Sequence, residues 1–291
     1  MSTTQHIVVL GVDIGGSHIT TALVDLSTRS LVAHSLRRET VDSEQDAEEI
    51  FTRWARLIEE SFSGLDLPSK KIGIAIPGPF DYEQGISLMH EQRKFSALYR
   101  LNIREALSQR LGISAESIRF INDAASFLKG EVYAGAAQHH DRVLGFTLGT
   151  GLGAALSLAG VTTDADLWNS AFRDGIAEEY LSTRWFVKRY RELSGKDVGG
   201  VKELVALAKS DDSIHEIFQE FAHNLAHFIM PYIKQHEIGC VVIGGNISNA
   251  SPLFLPALEA LIAAEGYSTV VRISSLKENA AIIGAASCWD L

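Results

Sequence analysis

Two stretches of this chain set oxygen-bearing side chains beside glycine turns in a way that suits phosphate chemistry. Asp13-Ile14-Gly15-Gly16-Ser17 closes the apolar run Val9-Leu10-Gly11-Val12, and Thr147-Leu148-Gly149-Thr150-Gly151 closes Val143-Leu144-Gly145-Phe146. Each copy leads into a second apolar strand, Ile19 to Val24 or Ala154 to Leu158. Glycine backbone carries N–H groups to a turn tip with little side chain in front of an anion. Two copies imply two lobes, each offering a turn to one ligand, a nucleotide polyphosphate. In the first copy Asp13 could hold Mg2+, directly or through water, beside phosphates carried by Gly15, Gly16 and Ser17. In the second, Thr147 and Thr150 supply hydroxyls instead. A glycine hairpin with a solvated Asp and a bulged hairpin are the plain structural alternatives.

Two further constellations follow apolar runs. Asn122-Asp123 ends the run from Ile118, and Asp123 opens a helix containing Ala124, Ala125, Phe127 and Leu128. Asp123 is placed as a general base taking the proton of a hydroxyl that attacks a phosphoryl group. It is equally a good helix N-cap, and the two roles are compatible. Val241-Val242-Ile243-Gly244-Gly245 ends in glycines ahead of a helix opening at Ser251-Pro252, so Gly245 could give a nucleoside room to pass; a simple strand–helix loop is the alternative.

The elements that must position these groups read as α/β. Apolar, β-branched runs predict strands at 7–14, 19–26, 30–39, 71–77, 117–121, 143–149, 153–158, 239–243 and 269–273. Helical periodicity predicts helices at 44–63, 101–111, 123–137, 178–193, 213–236, 251–265 and 278–288. The first would start at Asp42-Ser43-Glu44, and Pro231 should kink or break the fifth. Strands then helices in each half fit two mixed sheets flanked by helices. The expected lobes are 1–115, joined by the C-terminal helix 280–291, and 116–279.

Composition narrows the partners. The chain has 291 residues, 46% hydrophobic and 21% charged, as in ordinary globular proteins of two-lobe size. A net charge of −10 without Lys/Arg runs argues against nucleic acid. No apolar stretch reads as the roughly 20 residues of a membrane helix, and the polar start shows no signal peptide. Cytoplasmic location is the default. Cys240 and Cys288 are too few for a disulfide framework.

Asp13-Ile-Gly-Gly-Ser, Ala75-Ile-Pro-Gly-Pro79, Asn122-Asp-Ala, Leu148-Gly-Thr-Gly-Leu-Gly153 and Ile243-Gly-Gly occur in the order and at about the intervals of the ROK family, which the whole chain resembles. That family holds bacterial glucokinases, other sugar kinases and sugar-responsive repressors on the actin-like, ribonuclease-H-like fold, with the active site in the interlobe cleft. The resemblance implies ATP-dependent phosphorylation of a hexose or hexose derivative, at the 6-OH, with Mg2+. It makes Asp123 the catalytic base and Asn122 a sugar ligand. Gly15, Gly16 and Ser17 become the first phosphate loop, Thr147, Gly149, Thr150 and Gly151 the second, and Gly244 and Gly245 the nucleoside turn. It places Pro77-Gly78-Pro79 near the sugar, and implies a homodimer.

The chain departs from the family after the second loop. Members there carry Gly-Glu-x-Gly-His, then a cysteine-rich zinc knot ending in Leu-Glu-x-Tyr. Here Asp166 takes the place of the Glu and Asn169 that of the His, while Glu178 matches the second sugar-binding Glu because Tyr180 and Ser182 then match too. Without the cysteines no structural zinc is expected. His139-His140-Asp141 reads as an exposed turn, and His223 with His227 as a packed helix face rather than a metal pair. Arg93 and Lys94 could attract an anionic or acylated sugar, or form a solvated loop. The departures touch recognition rather than phosphoryl transfer, leaving open an N-acyl-amino-sugar kinase or a non-catalytic sugar sensor. A DNA-binding repressor would need a helix-turn-helix, for which the first 7 residues leave no room. A protein-binding actin-like ATPase is a further rival. A nicotinamide oxidoreductase is disfavoured, since neither glycine turn reads Gly-x-Gly-x-x-Gly between strand and helix.

Overall fold

The computed structural model describes residues 7–65, 67, 69–90 and 94–290. In chain order come β1 (Val8–Ile14), β2 (His18–Asp25), β3 (Ser30–Leu31), β4 (Arg37–Thr40), α1 (Ala47–Phe62), β5 (Ile72–Ile76), β6 (Phe80–Asp81), β7 (Ile86–Ser87), α2 (Ile103–Leu111), β8 (Ile118–Asn122) and α3 (Asp123–Ala134). Next are β9 (Arg142–Leu148), β10 (Leu152–Leu158), β11 (Val161–Asp164), β12 (Ala171–Phe172), β13 (Gly175–Ile176), α4 (Ala177–Leu181), α5 (Thr183–Ser194), α6 (Val201–Leu207) and α7 (Ser213–His236). The chain then forms β14 (Cys240–Gly244), α8 (Ser251–Ala264), β15 (Val270–Ile273) and α9 (Asn279–Ala286). Contacts gather these into two units. The first runs through Ala134 and takes in the segment from Glu278 onward; the second is Gly135–Lys277.

In the first unit the sheet order is β3-β2-β1-β5-β8, with β4 also on β2. β1, β5 and β8 are parallel, with Asp13 level with Ala75 and Ile76 level with Asn122. This register brings three sequence motifs to the same edge of one sheet. Alternation along β1 sends Leu10, Val12 and Ile14 into a core with Ile50, Trp54 and Ile58 of α1. The opposite face receives α9, whose Ile282 lies against Gly11. Helices α3 and α9 cross closely, and a Cβ on Gly284 would run into the Ser126 carbonyl. Because β8 pairs with β5 and α3 packs on α9, the seam follows Ala134 and lies beyond the cut drawn near residue 115.

Two local expectations shift. The predicted strand 30–39 is interrupted between β3 and β4, where His34 turns the chain with a φ of 60°. Helix α1 starts later than expected: Asp46 caps it by accepting the Glu49 N–H at 2.9 Å, while Asp42 accepts the Glu44 N–H in the preceding turn.

In the second unit the sheet order is β11-β10-β9-β14-β15. β9 is antiparallel to β10 and parallel to β14. Phe186, Phe218, Phe221 and Phe254, from α5, α7 and α8, are fully buried and stack edge-on or tilted in its core. The predicted helix 178–193 is two helices broken at Ser182, because the Thr183 N–H donates to the Gly149 carbonyl at 2.8 Å. Helix α7 runs unbroken through Pro231, and α6 was not foreseen. The helical run Asn246–Ala264 is, by length and composition, long and apolar enough to cross a membrane, against the sequence expectation. It buries Phe254, Leu258 and Ile262 in the core, with α8 packed along α7.

Candidate active site

In the first unit the turn after β1 is tight and anchored. The Gly15 N–H donates to the His18 carbonyl at 2.9 Å, and the Val41 N–H to the Ser17 carbonyl at 2.9 Å. Ser17 Oγ lies 3.1 Å from His18 Nδ1. Asp13, at the end of β1, has a pKa pushed up from 3.8 to about 7, first by burial and then by the Asp123 carboxylate. Arg38 works against that rise, while Glu278, paired with Arg38 at 2.7 Å, adds to it. The His18 imidazole is held below its usual value by burial and by Arg38.

Asn122 rather than Asp123 supplies the side-chain cap of α3: its Oδ1 accepts the Ala125 N–H at 3.0 Å. Its Nδ2 donates to the Tyr82 hydroxyl at 3.2 Å, and that hydroxyl donates to the Ile76 carbonyl at 3.2 Å. Asp123 is exposed, and its Oδ1 accepts the Ala124 N–H at 2.9 Å. The side chain of Lys94 lies over the first turn. A Cβ on Gly16 would come 2.7 Å from Lys94 Cδ and 3.3 Å from Nζ. The next residue, Phe95, is fully buried with its ring 5.4 Å from that of Trp54. Arg93 lies outside the described residues.

In the second unit the Gly149-Thr150-Gly151 turn is closed by the Gly149 N–H donating to the Gly151 carbonyl at 3.0 Å. The neighbouring Gly245 has a φ of 79° and stands where a Cβ would run into the Leu148 backbone. Glycine is needed there for its positive φ and for its close approach to the end of β9. Glu178, at the start of α4, accepts the Leu152 N–H on Oε2 at 3.0 Å and pairs through Oε1 with Arg184. The Glu178 N–H donates to the Trp168 carbonyl at 3.0 Å, which fixes the 166–169 loop beside it. Asp166 and Asn169 are exposed in that loop, and Asp166 has a φ of 48°. The Asp166 N–H donates to Asp164 Oδ1 at 2.9 Å.

The structure therefore joins Asp13, Gly15, Gly16, Ser17, Asn122 and Asp123 in one unit, and Thr147, Gly149, Thr150, Gly151, Asp166, Asn169, Glu178, Gly244 and Gly245 in the other. Sequence reasoning missed Arg38, Tyr82, Arg184 and Glu278. Arg38, Arg184 and Glu278 are single charged residues outside the glycine motifs, and Tyr82 is an aromatic just past Pro79, so none gives a local signal. Asp13 is the kind of hard oxygen donor that a divalent cation takes, and a cation there would offset the like charge of Asp123. Among the described residues no three His, Cys, Asp or Glu side chains gather; His223 and His227 are exposed on α7, and the His227 ring packs 5.8 Å from that of Phe172.

The two glycine hairpins on mixed sheets, each backed by helices, define the two-lobe actin-like ATPase fold. The structure matches the glucokinase of Parabacteroides distasonis with a TM-score of 0.81 at 20% identity, covering 99% of this chain and 98% of that one. A sequence profile described as the ROK family matches residues 9–164 and 173–290, so the chain belongs to the ROK family. It is 28% identical over 320 aligned positions to the glucokinase of Thermotoga maritima, covering 96% of each. It is 26% identical over 281 positions to an N-acetyl-D-glucosamine kinase of Histophilus somni, covering 86% of this chain and 88% of that one. The stretch left out of the profile match contains both Asp166 and Asn169.

Proposed function

We propose that this protein is an ATP-dependent sugar kinase that transfers the γ-phosphoryl group to a hexose hydroxyl, the 6-OH. The observation that carries the reading is that Asp13, near the end of β1, and Asp123, just past the end of β8, flank the end of β5 at the same edge of one sheet, with the Asp123 charge helping to raise the Asp13 pKa. One carboxylate suits a cation and the other a hydroxyl proton. In this reading Asp123 accepts the proton as the sugar oxygen bonds to the γ-phosphorus and the bond to the β-phosphate oxygen breaks, releasing ADP. Asn122 holds a sugar hydroxyl, and its amide is oriented by Tyr82 and by the α3 backbone. Gly15, Gly16 and Ser17, with Thr147, Gly149, Thr150 and Gly151, present N–H and hydroxyl donors to the phosphates, and the ammonium of Lys94 adds charge at the first turn. Gly244 and Gly245 shape the nucleoside end. Mg2+, held by Asp13, would neutralise charge on the β- and γ-phosphates when bound.

Asp166, Asn169 and Glu178 belong to sugar recognition in this reading. The mismatch of the 165–172 stretch with the family profile favours an acceptor other than glucose, with N-acyl amino sugars as the alternative class. The reading includes action in the cytoplasm, where ATP is available, and a homodimer, which light scattering would test.

The test is ADP release across a panel of hexoses, amino sugars and N-acyl amino sugars. One sugar should stimulate release, and Asp123→Asn should lower the stimulated rate by about 10²–10⁴-fold. Stimulated release undiminished in Asp123→Asn rejects the base. Sugars that raise the melting temperature without stimulating any release would favour a sugar sensor instead.

A further inference from the structure

Family resemblance gives Glu178 to the sugar, yet the groups it touches belong to the second glycine turn. Its Oε2 accepts the N–H of Leu152, the residue that directly follows Gly149-Thr150-Gly151, at 3.0 Å. A Cβ on Gly151 would stand 2.7 Å from that same oxygen. One residue past the α4–α5 break, the Thr183 N–H holds the Gly149 carbonyl at 2.8 Å. The turn is thus tied at both ends to the segment that carries Glu178. The other carboxylate oxygen pairs with Arg184, on the first turn of α5. Arg184 is 65% exposed and Glu178 20%, so the ion pair is the solvent-facing side of a contact whose inner side is the turn.

We infer that Glu178 and Arg184 are positioning residues for the second glycine turn, so that they set nucleotide affinity as well as sugar recognition. This rests on the kinase reading above for the identity of the ligand. A carboxylate that accepts a backbone N–H fixes the direction of that peptide unit, and hence of the N–H groups of the preceding turn residues. Arg184 aims the carboxylate through their ion pair, and a charge-assisted hydrogen bond is the stronger kind. The Glu178 N–H also holds the 166–169 loop, so one residue sits where the turn and that loop meet.

The test uses the intact protein and two readouts. In the first, ATP is varied at saturating sugar and sugar at saturating ATP. Arg184→Met should raise KM for ATP about two- to fivefold, the scale expected for losing an exposed ion pair, with KM for sugar changed less. Arg184→Lys should restore part of the loss, and Gly151→Ala, which crowds the carboxylate, should act in the same direction as Arg184→Met. An unchanged KM for ATP in Arg184→Met and Glu178→Gln, with KM for sugar raised, overturns the inference and returns Glu178 to the sugar alone. The second readout is binding of a non-hydrolysable ATP analogue by calorimetry, which needs no acceptor. Weaker analogue binding in Arg184→Met, in a wild-type protein that no sugar stimulates, supports the inference while overturning the kinase reading. Equal analogue binding in variant and wild type overturns the inference and leaves the kinase reading standing.

Discussion

At the residue scale the proposed chemistry turns on two acids of unequal surroundings. Replacing Asp123 with Asn should lower kcat by about 10²–10⁴-fold, the range for losing a general base. It should also move the Asp13 pKa downward, though not to 3.8, because burial is the larger cause of its rise. Carboxyl NMR shifts followed against pH would read this. The same pKa bears on stability. Asp13 titrates at 3.8 when unfolded and at about 7 when folded, so the native state holds the extra proton. Its contribution is full below pH 3.8 and is lost as pH rises through about 7. Asp13→Asn should therefore melt above the wild type by a margin that opens over that interval and stays open at higher pH, in metal-free thermal melts. Much at this scale was readable. Asp13, Asn122 and Asp123 each end an apolar run, and that position marks them. Arg38 and Tyr82 act only through partners that the fold brings near, and no spacing announces them.

At the element scale the glycines report how closely pieces approach. Gly245→Ala should cost about 1–3 kcal/mol in urea unfolding, since alanine there must hold a positive φ against the Leu148 backbone. Gly284→Val, at the α3–α9 crossing, should cost about as much or more, because the Ser126 backbone cannot yield as a side chain does. The hairpins of both units were legible from apolar runs flanking glycine. The breaks within 30–39 and at Ser182 were not. His34 makes its turn without glycine or proline, and the break at Ser182 is made by a hydrogen bond to Gly149, remote in sequence. Proline misled in the other direction, since α7 continues through Pro231.

At the scale of the whole molecule the family was legible because five short motifs fall in register, although none is distinctive alone. The substrate was not, because the 165–172 stretch, which holds Asp166 and Asn169, lies outside the profile match. The seam was misplaced because β8 and α3 look from sequence like the opening of a second half, whereas pairing with β5 claims them for the first unit. A chain cut after Lys277 should lose the first unit's protection from proteolysis while residues 135–277 keep theirs. The cut removes Ile282 and Ile283 from the core and the Trp289 indole N–H from the Ile72 carbonyl.

The place of α9 also bears on how the chain is made. Residues 135–277 are contiguous and can complete their core as soon as they have left the ribosome. The first unit is translated earlier, yet the helix that covers Gly11 and Gly73 is made after the whole second unit. During synthesis the β1–β5–β8 sheet waits with one apolar face bare, so the part translated first finishes folding last.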